Sequence, residues 1–101
     1  MEEFENSIFE LIMNAGDSKS NSMEAIQEAK KGNFEKADEL LKGASVELGK
    51  AHKFQTGLIQ DEAAGKPSPI SILLIHAQDH FMAAMTVKDL ATEMVELYRR
   101  M

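Results

Sequence analysis

The eighteen residues from Ile70 to Val87 read ISILLIHAQDHFMAAMTV and carry one formal charge, at Asp79. Apolar residues recur here every three or four positions, the spacing that keeps side chains on one face of an α-helix. One such stripe, extended along the chain, consists of Ile70, Leu74, Ala77, Phe81, Ala84, Ala91, Val95 and Tyr98. A helix on the outside of a small bundle should carry charged residues on every turn of its solvent face. This helix lacks such a face, which indicates that it buries two sides.

The second side of this helix is the unusual one. Its members would face away from the first stripe: Ile72, Leu73, His76, Asp79, His80, Ala83, Thr86, Val87 and Leu90. A contiguous apolar surface of this kind usually marks an interface. Self-association is the economical interpretation, and a groove for a peptide partner is the alternative.

Two further amphipathic segments precede this helix. The first has small and apolar residues at alternating spacings of four and three: Phe4, Ile8, Leu11, Ala15, Ser18, Ser22, Ala25 and Ala29. The second has a similar stripe, with Gln55 as its polar exception: Phe34, Ala37, Leu41, Ala44, Leu48, Ala51 and Leu58. Both patterns predict helices. The sequence Gly16-Asp17-Ser18 is compatible with a bend or with a close helix contact in the first of them, which is predicted to be one long helix.

Turn-forming residues separate the three segments. The first helix is expected to end near Lys31, with Gly32 in the left-handed backbone conformation and Asn33 as the cap of the second helix. A loop rich in Gly and Pro follows the second helix, where Ser68 is the predicted N-cap and Pro69 the first residue of the third helix. No alternating polar and apolar run of strand length is present. The sequence therefore predicts an all-α fold, an antiparallel three-helix bundle.

Length, composition and charge exclude several classes of protein. A chain of 101 residues with 44% hydrophobic residues is expected to form one soluble domain over residues 1–101. The absence of Cys excludes a disulfide scaffold, thiolate zinc sites and a cysteine nucleophile. A net charge of -6 argues against nucleic acid as a partner. The sequence shows neither a basic signal segment nor an apolar run of ~20 residues, so we expect a cytoplasmic protein without membrane insertion.

Four polar side chains gather on the under-charged helix: His76, Gln78, Asp79 and His80. At about 100° per residue, His80 lies about 40° from His76, and Asp79 lies about 60° away on the other side. These three side chains therefore share one face. An Asp among apolar neighbours is costly unless it is neutralised, paired or bound to a metal. No Lys or Arg lies within eight residues of Asp79 in the sequence.

The residues alone leave three interpretations of this group open. In the plainest, the histidines are ordinary core or interface residues with satisfied hydrogen bonds. In the second, His76, His80 and Asp79 bind zinc or another transition metal, although Ala77 stands where a helical metalloprotease has its Glu. In the third, one His carries a transferred phosphoryl group, since imidazole is neutral and nucleophilic near pH 7. The chain has no nucleotide-binding glycine motif, so the phosphoryl donor would be another protein.

Residues 72–82, ILLIHAQDHFM, closely resemble the active-site helix of one family, the lactose/cellobiose-specific enzyme IIA components of the bacterial phosphoenolpyruvate:sugar phosphotransferase system. The resemblance covers nearly the whole chain. It includes Asn14-Ala15-Gly16, the turn at residues 31–34, Ala51-His52 and Gln55-Thr56. The HAQDH sequence at this place in a three-helix chain is a specific signature.

This resemblance implies a homotrimer assembled through helix three, with the third helices along the threefold axis. It implies that His76 accepts a phosphoryl group on Nε2 from phospho-HPr and passes it to a cysteine of the cognate IIB component during uptake of a β-linked disaccharide. Asp79 is implied to meet its two symmetry mates around one divalent cation per trimer, Mg²⁺, which prefers oxygen ligands. Gln78 lies about 100° from Asp79 on the side opposite His76, so it would approach His76 of the next chain. His80 and that Gln78 are candidates for stabilising the phosphoryl group.

Two other functional classes remain as alternatives. Residues 31–37, KGNFEKA, resemble the inter-helix turn of a tetratricopeptide repeat, which would make the protein a helical adaptor that binds peptides. No 34-residue period recurs, however. A histidine phosphotransfer domain is the closer chemical alternative, although such domains are usually four-helix bundles with Lys-Gly three and four residues after the His. His52, beside Lys53, is interpreted as a surface or packing residue. The sequence shows no sugar pocket and does not identify the sugar.

Overall fold

The computed structural model describes residues 2–101, which form three α-helices: α1 (Glu2–Lys30), α2 (Phe34–Ala63) and α3 (Ile72–Arg100). Short connections make successive helices antiparallel. α1 packs against both other helices, whereas α2 and α3 contact each other less. The bundle measures 51 × 23 × 18 Å, and residues 2–101 contain no strand. The predicted all-α three-helix bundle is confirmed.

Two apolar clusters form the core, one toward each end of the bundle. The cluster around Phe81, the largest fully buried side chain, contains Ile8, Leu11, Ala15, Leu48, Ala51, Ala77, Phe81 and Ala84. The cluster at the other end contains Ala25, Ala29, Ala37 and Val95. All of these positions belong to the stripes that the sequence predicts. Many are Ala, and such small side chains let the helix backbones approach closely.

α1 is continuous from Glu2 to Lys30, so the prediction of one long helix is confirmed and Gly16-Asp17-Ser18 does not interrupt it. The whole predicted stripe from Ile8 to Ala29 is buried, including Ser18 and Ser22. Ser22 Oγ donates a hydrogen bond of 2.8 Å to the backbone oxygen of Ser18. Ser18 Oγ is buried without a hydrogen-bond partner. The packing therefore requires small side chains at residues 18 and 22, and it accepts their hydroxyl groups.

The turn between α1 and α2 differs in one detail from the prediction. Gly32 adopts a φ of 83°, the left-handed conformation expected of it. Asn33 occupies the N-cap position of α2, but its side chain makes no capping hydrogen bond. Its Nδ2 instead donates to Glu28 Oε1 at 2.9 Å, a charged acceptor that gives a stronger bond than a backbone group. This hydrogen bond is the largest of the effects that lower the pKa of Glu28, to which nearby Lys31 also contributes.

The start of α3 corrects the sequence-based prediction. Ser71, not Ser68, is the N-cap: its backbone is extended, and its Oγ accepts a 3.1 Å hydrogen bond from the amide of Leu74. Pro69 and Ile70 consequently lie in the loop, and Ile70 is 81% exposed rather than part of the core stripe. No helix in residues 2–101 is long and apolar enough to span a membrane.

Candidate functional site

The second apolar side of α3 is uncovered in the single chain. We call it the outer face of α3, and it consists of Ile72, His76, Asp79, Ala83, Thr86, Leu90 and Leu97. All seven side chains are exposed. Their spacing alternates between four and three residues, except for the final step of seven. This spacing keeps side chains on one face and is typical of helices that pack along their length against other helices. The second apolar side of this helix is thus present and exposed in the single chain, and its burial against another copy stays a prediction.

His76 and His80 lie one helical turn apart, and their rings pack edge to face. Their ring centroids are 5.1 Å apart, and the ring planes are inclined by 69°. His76 is exposed, whereas His80 is half-buried. Within residues 2–101 neither imidazole takes part in a hydrogen bond. The nitrogens of His76 are therefore open to a group brought by another molecule.

Asp79 is exposed on the same face and forms no ion pair within the described part of the chain. Two other acidic residues of α3 do have a nearby cation: Asp89 is 3.4 Å from Lys88 Nζ, and Glu96 is 3.4 Å from Arg99 Nε. The sequence likewise has no Lys or Arg within eight residues of Asp79. Because its carboxylate is solvated in the single chain, the cost of burying it would arise only when copies assemble on this face.

No group of three His, Asp or Glu side chains within residues 2–101 could hold a metal ion. The transition-metal interpretation requires His76, Asp79 and His80 to converge on one ion. Within a single chain they do not. Asp79 offers oxygen ligands, which suit a hard divalent cation. One carboxylate supplies only part of the coordination that such an ion needs, so a site here would require ligands from outside the single chain.

Gln78 lies on the side of α3 that faces α2. Its Oε1 accepts a 2.8 Å hydrogen bond from Gln55 Nε2. The same Nε2 is 3.7 Å from Met82 Sδ. Gln78 is among the predicted site residues, whereas Gln55 is not. The sequence signal for Gln55 is that it is the polar residue in the otherwise apolar stripe of α2.

His52 lies on α2 and is exposed. Its ring centroid is 6.2 Å from that of buried Phe81, and the two planes are tilted by 39°. This contact agrees with the interpretation of His52 as a packing residue at the bundle surface.

Three comparisons relate the chain to known proteins. The sequence model of the family described as "PTS system, Lactose/Cellobiose specific IIA subunit" matches residues 6–99. The lichenan-specific phosphotransferase enzyme IIA component of Bacillus subtilis is 50% identical over 98% of this chain and 90% of its own length. The crystal structure of the cellobiose-specific enzyme IIA of Bacillus anthracis is 50% identical and superposes with a TM-score of 0.89, over 94% of this chain and 87% of that one.

A third similar protein was solved together with a partner. It is the IIA component in solution structures of the IIA(Chitobiose)–HPr complex of the Escherichia coli phosphotransferase system. It is 34% identical to this chain, with a TM-score of 0.81 over 95% of this chain and 93% of that one. A family model that spans nearly all of the chain, together with half-identical relatives of the same fold, shows that the chain belongs to the lactose/cellobiose-specific IIA subunit family of the sugar phosphotransferase system.

Proposed function

We propose that His76 is the phosphoryl carrier of this IIA component. In this proposal it accepts a phosphoryl group from phospho-HPr and passes it to a cysteine of the cognate IIB component. The observation that carries the proposal is the state of His76 itself: an exposed imidazole, free of hydrogen bonds within the described chain, on the uncovered face of α3. The Escherichia coli relative solved with HPr supports the donor.

The chemistry uses the lone pair of Nε2. In the first step Nε2 of the neutral imidazole attacks phosphorus, a new N–P bond forms, and the bond from phosphorus to HPr breaks with its electron pair left on HPr. In the second step the cysteine sulfur of IIB attacks, and the electron pair of the N–P bond returns to His76. The transferring group carries negative oxygens, so nearby N–H donors lower the barrier. His80 and Gln78 are the proposed donors.

A homotrimer through the outer face of α3 completes this site in the proposal. Burial of Leu90 and Leu97 against their copies would stabilise it, since these side chains are 54% and 64% exposed in the single chain. The three copies of Asp79 would meet on the axis, where one divalent cation, Mg²⁺, would neutralise their charge. Gln78 of one subunit would then approach His76 of the next.

The proposed transport substrate is a β-linked disaccharide. The Bacillus subtilis and Bacillus anthracis relatives are named for lichenan and cellobiose. The carrier step requires no sugar pocket on this chain, because the phosphoryl group moves from protein to protein. With this role we expect a cytoplasmic protein that receives the phosphoryl group from HPr and passes it to IIB.

The test is to incubate the protein with phospho-HPr and to locate the added mass by peptide mapping at alkaline pH, where phosphohistidine survives. We expect one label, on His76. Labelling of His80 or His52 instead would overturn the assignment. Labelling by a phosphorylated response regulator and not by phospho-HPr would favour the histidine phosphotransfer class. No label from either donor would favour a peptide-binding adaptor.

A further inference from the structure

Gln55 is the polar residue in the apolar stripe of α2, and its side chain reaches across to α3. It is half-buried, and it contacts two side chains of that helix. Its Nε2 donates to Gln78 Oε1 at 2.8 Å and lies 3.7 Å from Met82 Sδ. Gln55 is thus the side chain of α2 that hydrogen-bonds a member of the candidate site.

These two contacts fix the direction of both amides. A glutamine amide has a carbonyl oxygen that accepts and an NH₂ group that donates, and the two ends have similar shapes. The thioether sulfur of Met82 can only accept, so Gln55 must turn its NH₂ toward α3. The same NH₂ donates to Gln78, so Gln78 must present its carbonyl oxygen to α2.

The NH₂ group of Gln78 is consequently left to donate elsewhere. No hydrogen bond within residues 2–101 uses Gln78 Nε2. In that part of the chain the buried side-chain polar atom without a partner is Ser18 Oγ, so Gln78 Nε2 remains within reach of solvent or of a bound group. Phosphoryl oxygens only accept hydrogen bonds, so the donor end of the amide is the end that can stabilise them.

We propose that Gln55 is a positioning residue for phosphoryl transfer. It holds the amide of Gln78 so that the NH₂ group donates to the phosphoryl group carried by His76 of the neighbouring subunit. The proposal rests on the proposed function and on the approach of Gln78 to His76 between subunits. Without Gln55 the amide turns freely, and in the reversed orientation its carbonyl oxygen meets the phosphoryl oxygens, which repel it.

The test compares Gln55→Leu with the wild type in labelling by phospho-HPr at increasing concentrations of phospho-HPr. Leu fills a similar volume and cannot donate. We expect the maximal rate to fall roughly three- to tenfold, the effect of one neutral hydrogen bond. The half-saturating concentration should stay unchanged, because the proposal gives Gln55 no contact with the donor protein. Gln60→Leu, which changes an exposed glutamine of the same helix, should alter neither quantity.

A double-mutant cycle separates positioning from a merely structural role. We expect Gln55→Leu to cause no further slowing in the Gln78→Ala background, because the amide to be held is gone. Slowing by the same factor in both backgrounds, or a wild-type rate for Gln55→Leu, would overturn the proposal. Should Gln55→Leu not fold, Met82→Leu replaces it in the cycle, with a smaller slowing that again vanishes in Gln78→Ala. A wild type that phospho-HPr does not label would instead overturn the proposed function, and this inference with it.

Discussion

The imidazole rings of His76 and His80 stand edge to face on successive turns of α3, with their centroids 5.1 Å apart. A group bound to His76 therefore lies beside a second ring that can donate an N–H. His80 is half-buried and so restrained by its surroundings, whereas His76 is exposed. In the proposed function His76 is the accessible nucleophile and His80 the hydrogen-bond donor, and this division of roles underlies the first two predictions.

His76→Gln should fold and assemble like the wild type and accept no phosphoryl group. An amide lacks a comparable nucleophilic nitrogen, and the exposed position of residue 76 makes the substitution harmless to the core. The measurement is intact mass after incubation with phospho-HPr, with circular dichroism to verify helix content. A label at wild-type stoichiometry on this variant would show that another residue is the acceptor.

His80→Ala should still accept a phosphoryl group but pass it to IIB slowly. Loss of one charge-assisted donor to the transferring group should cost ~2–4 kcal/mol, or about 30- to 1000-fold in rate. The rate is measured by mixing the phosphorylated variant with the IIB component and following the loss of label. Unchanged discharge would remove His80 from the site.

Leu90→Glu should convert a trimer into monomers, because it places three carboxylates on the outer face of α3 at one level. Multi-angle light scattering should give a mass of three chains for the wild type and of one chain for the variant. Val46→Glu is the matched control: Val46 is also 54% exposed, but it lies on α2 away from the proposed interface. A wild type that is monomeric at micromolar concentration would contradict the assembly.

Removal of divalent cations should loosen the wild-type trimer. Three unneutralised copies of Asp79 near one axis repel one another by several kcal/mol where water is scarce. EDTA should lower the melting temperature of the wild type, whereas Asp79→Asn should melt at the same temperature with and without EDTA. A wild-type melting temperature that EDTA leaves unchanged, with no metal found by elemental analysis, would contradict the cation site.

Ser18→Ala should stabilise the fold by about 1 kcal/mol, since it removes a buried hydroxyl that has no partner. Ser22→Ala serves as the comparison, because Ser22 Oγ does make a hydrogen bond, to the backbone oxygen of Ser18. Urea unfolding should show the two substitutions acting in opposite directions. Destabilisation by Ser18→Ala would mean that its hydroxyl has a partner in solution, such as a water molecule.

The helix positions and their buried faces could be predicted from the sequence because burial in a bundle is periodic. The stripe of α1 is correct even at Ser18 and Ser22, where hydropathy alone would have failed and spacing succeeds. The low charge of α3 likewise predicted its uncovered face, and the sequence HAQDH predicted His76 and His80 as candidate site residues. These features follow from positions along one helix, which the sequence states directly.

Other features depend on how helices meet, and the sequence could not supply them. Ser68 and Ser71 are both competent caps by residue type, and the structure uses Ser71, whose Oγ accepts from the Leu74 amide. The hydrogen bond from Gln55 to Gln78 depends on the rotation and axial offset of α2 relative to α3. Neither quantity can be read from the spacing within one helix.

The order of the helices affects how the chain folds while it is being synthesised. A ribosome delivers α1 and α2 first, and these two can close as a hairpin through the short turn at residues 31–33. α3, the helix with two apolar sides, then emerges against a hairpin that already offers a place for one of them. In the proposed trimer only the outer face of α3 then needs another copy to cover it, and this surface is the last of the apolar surfaces to be synthesised.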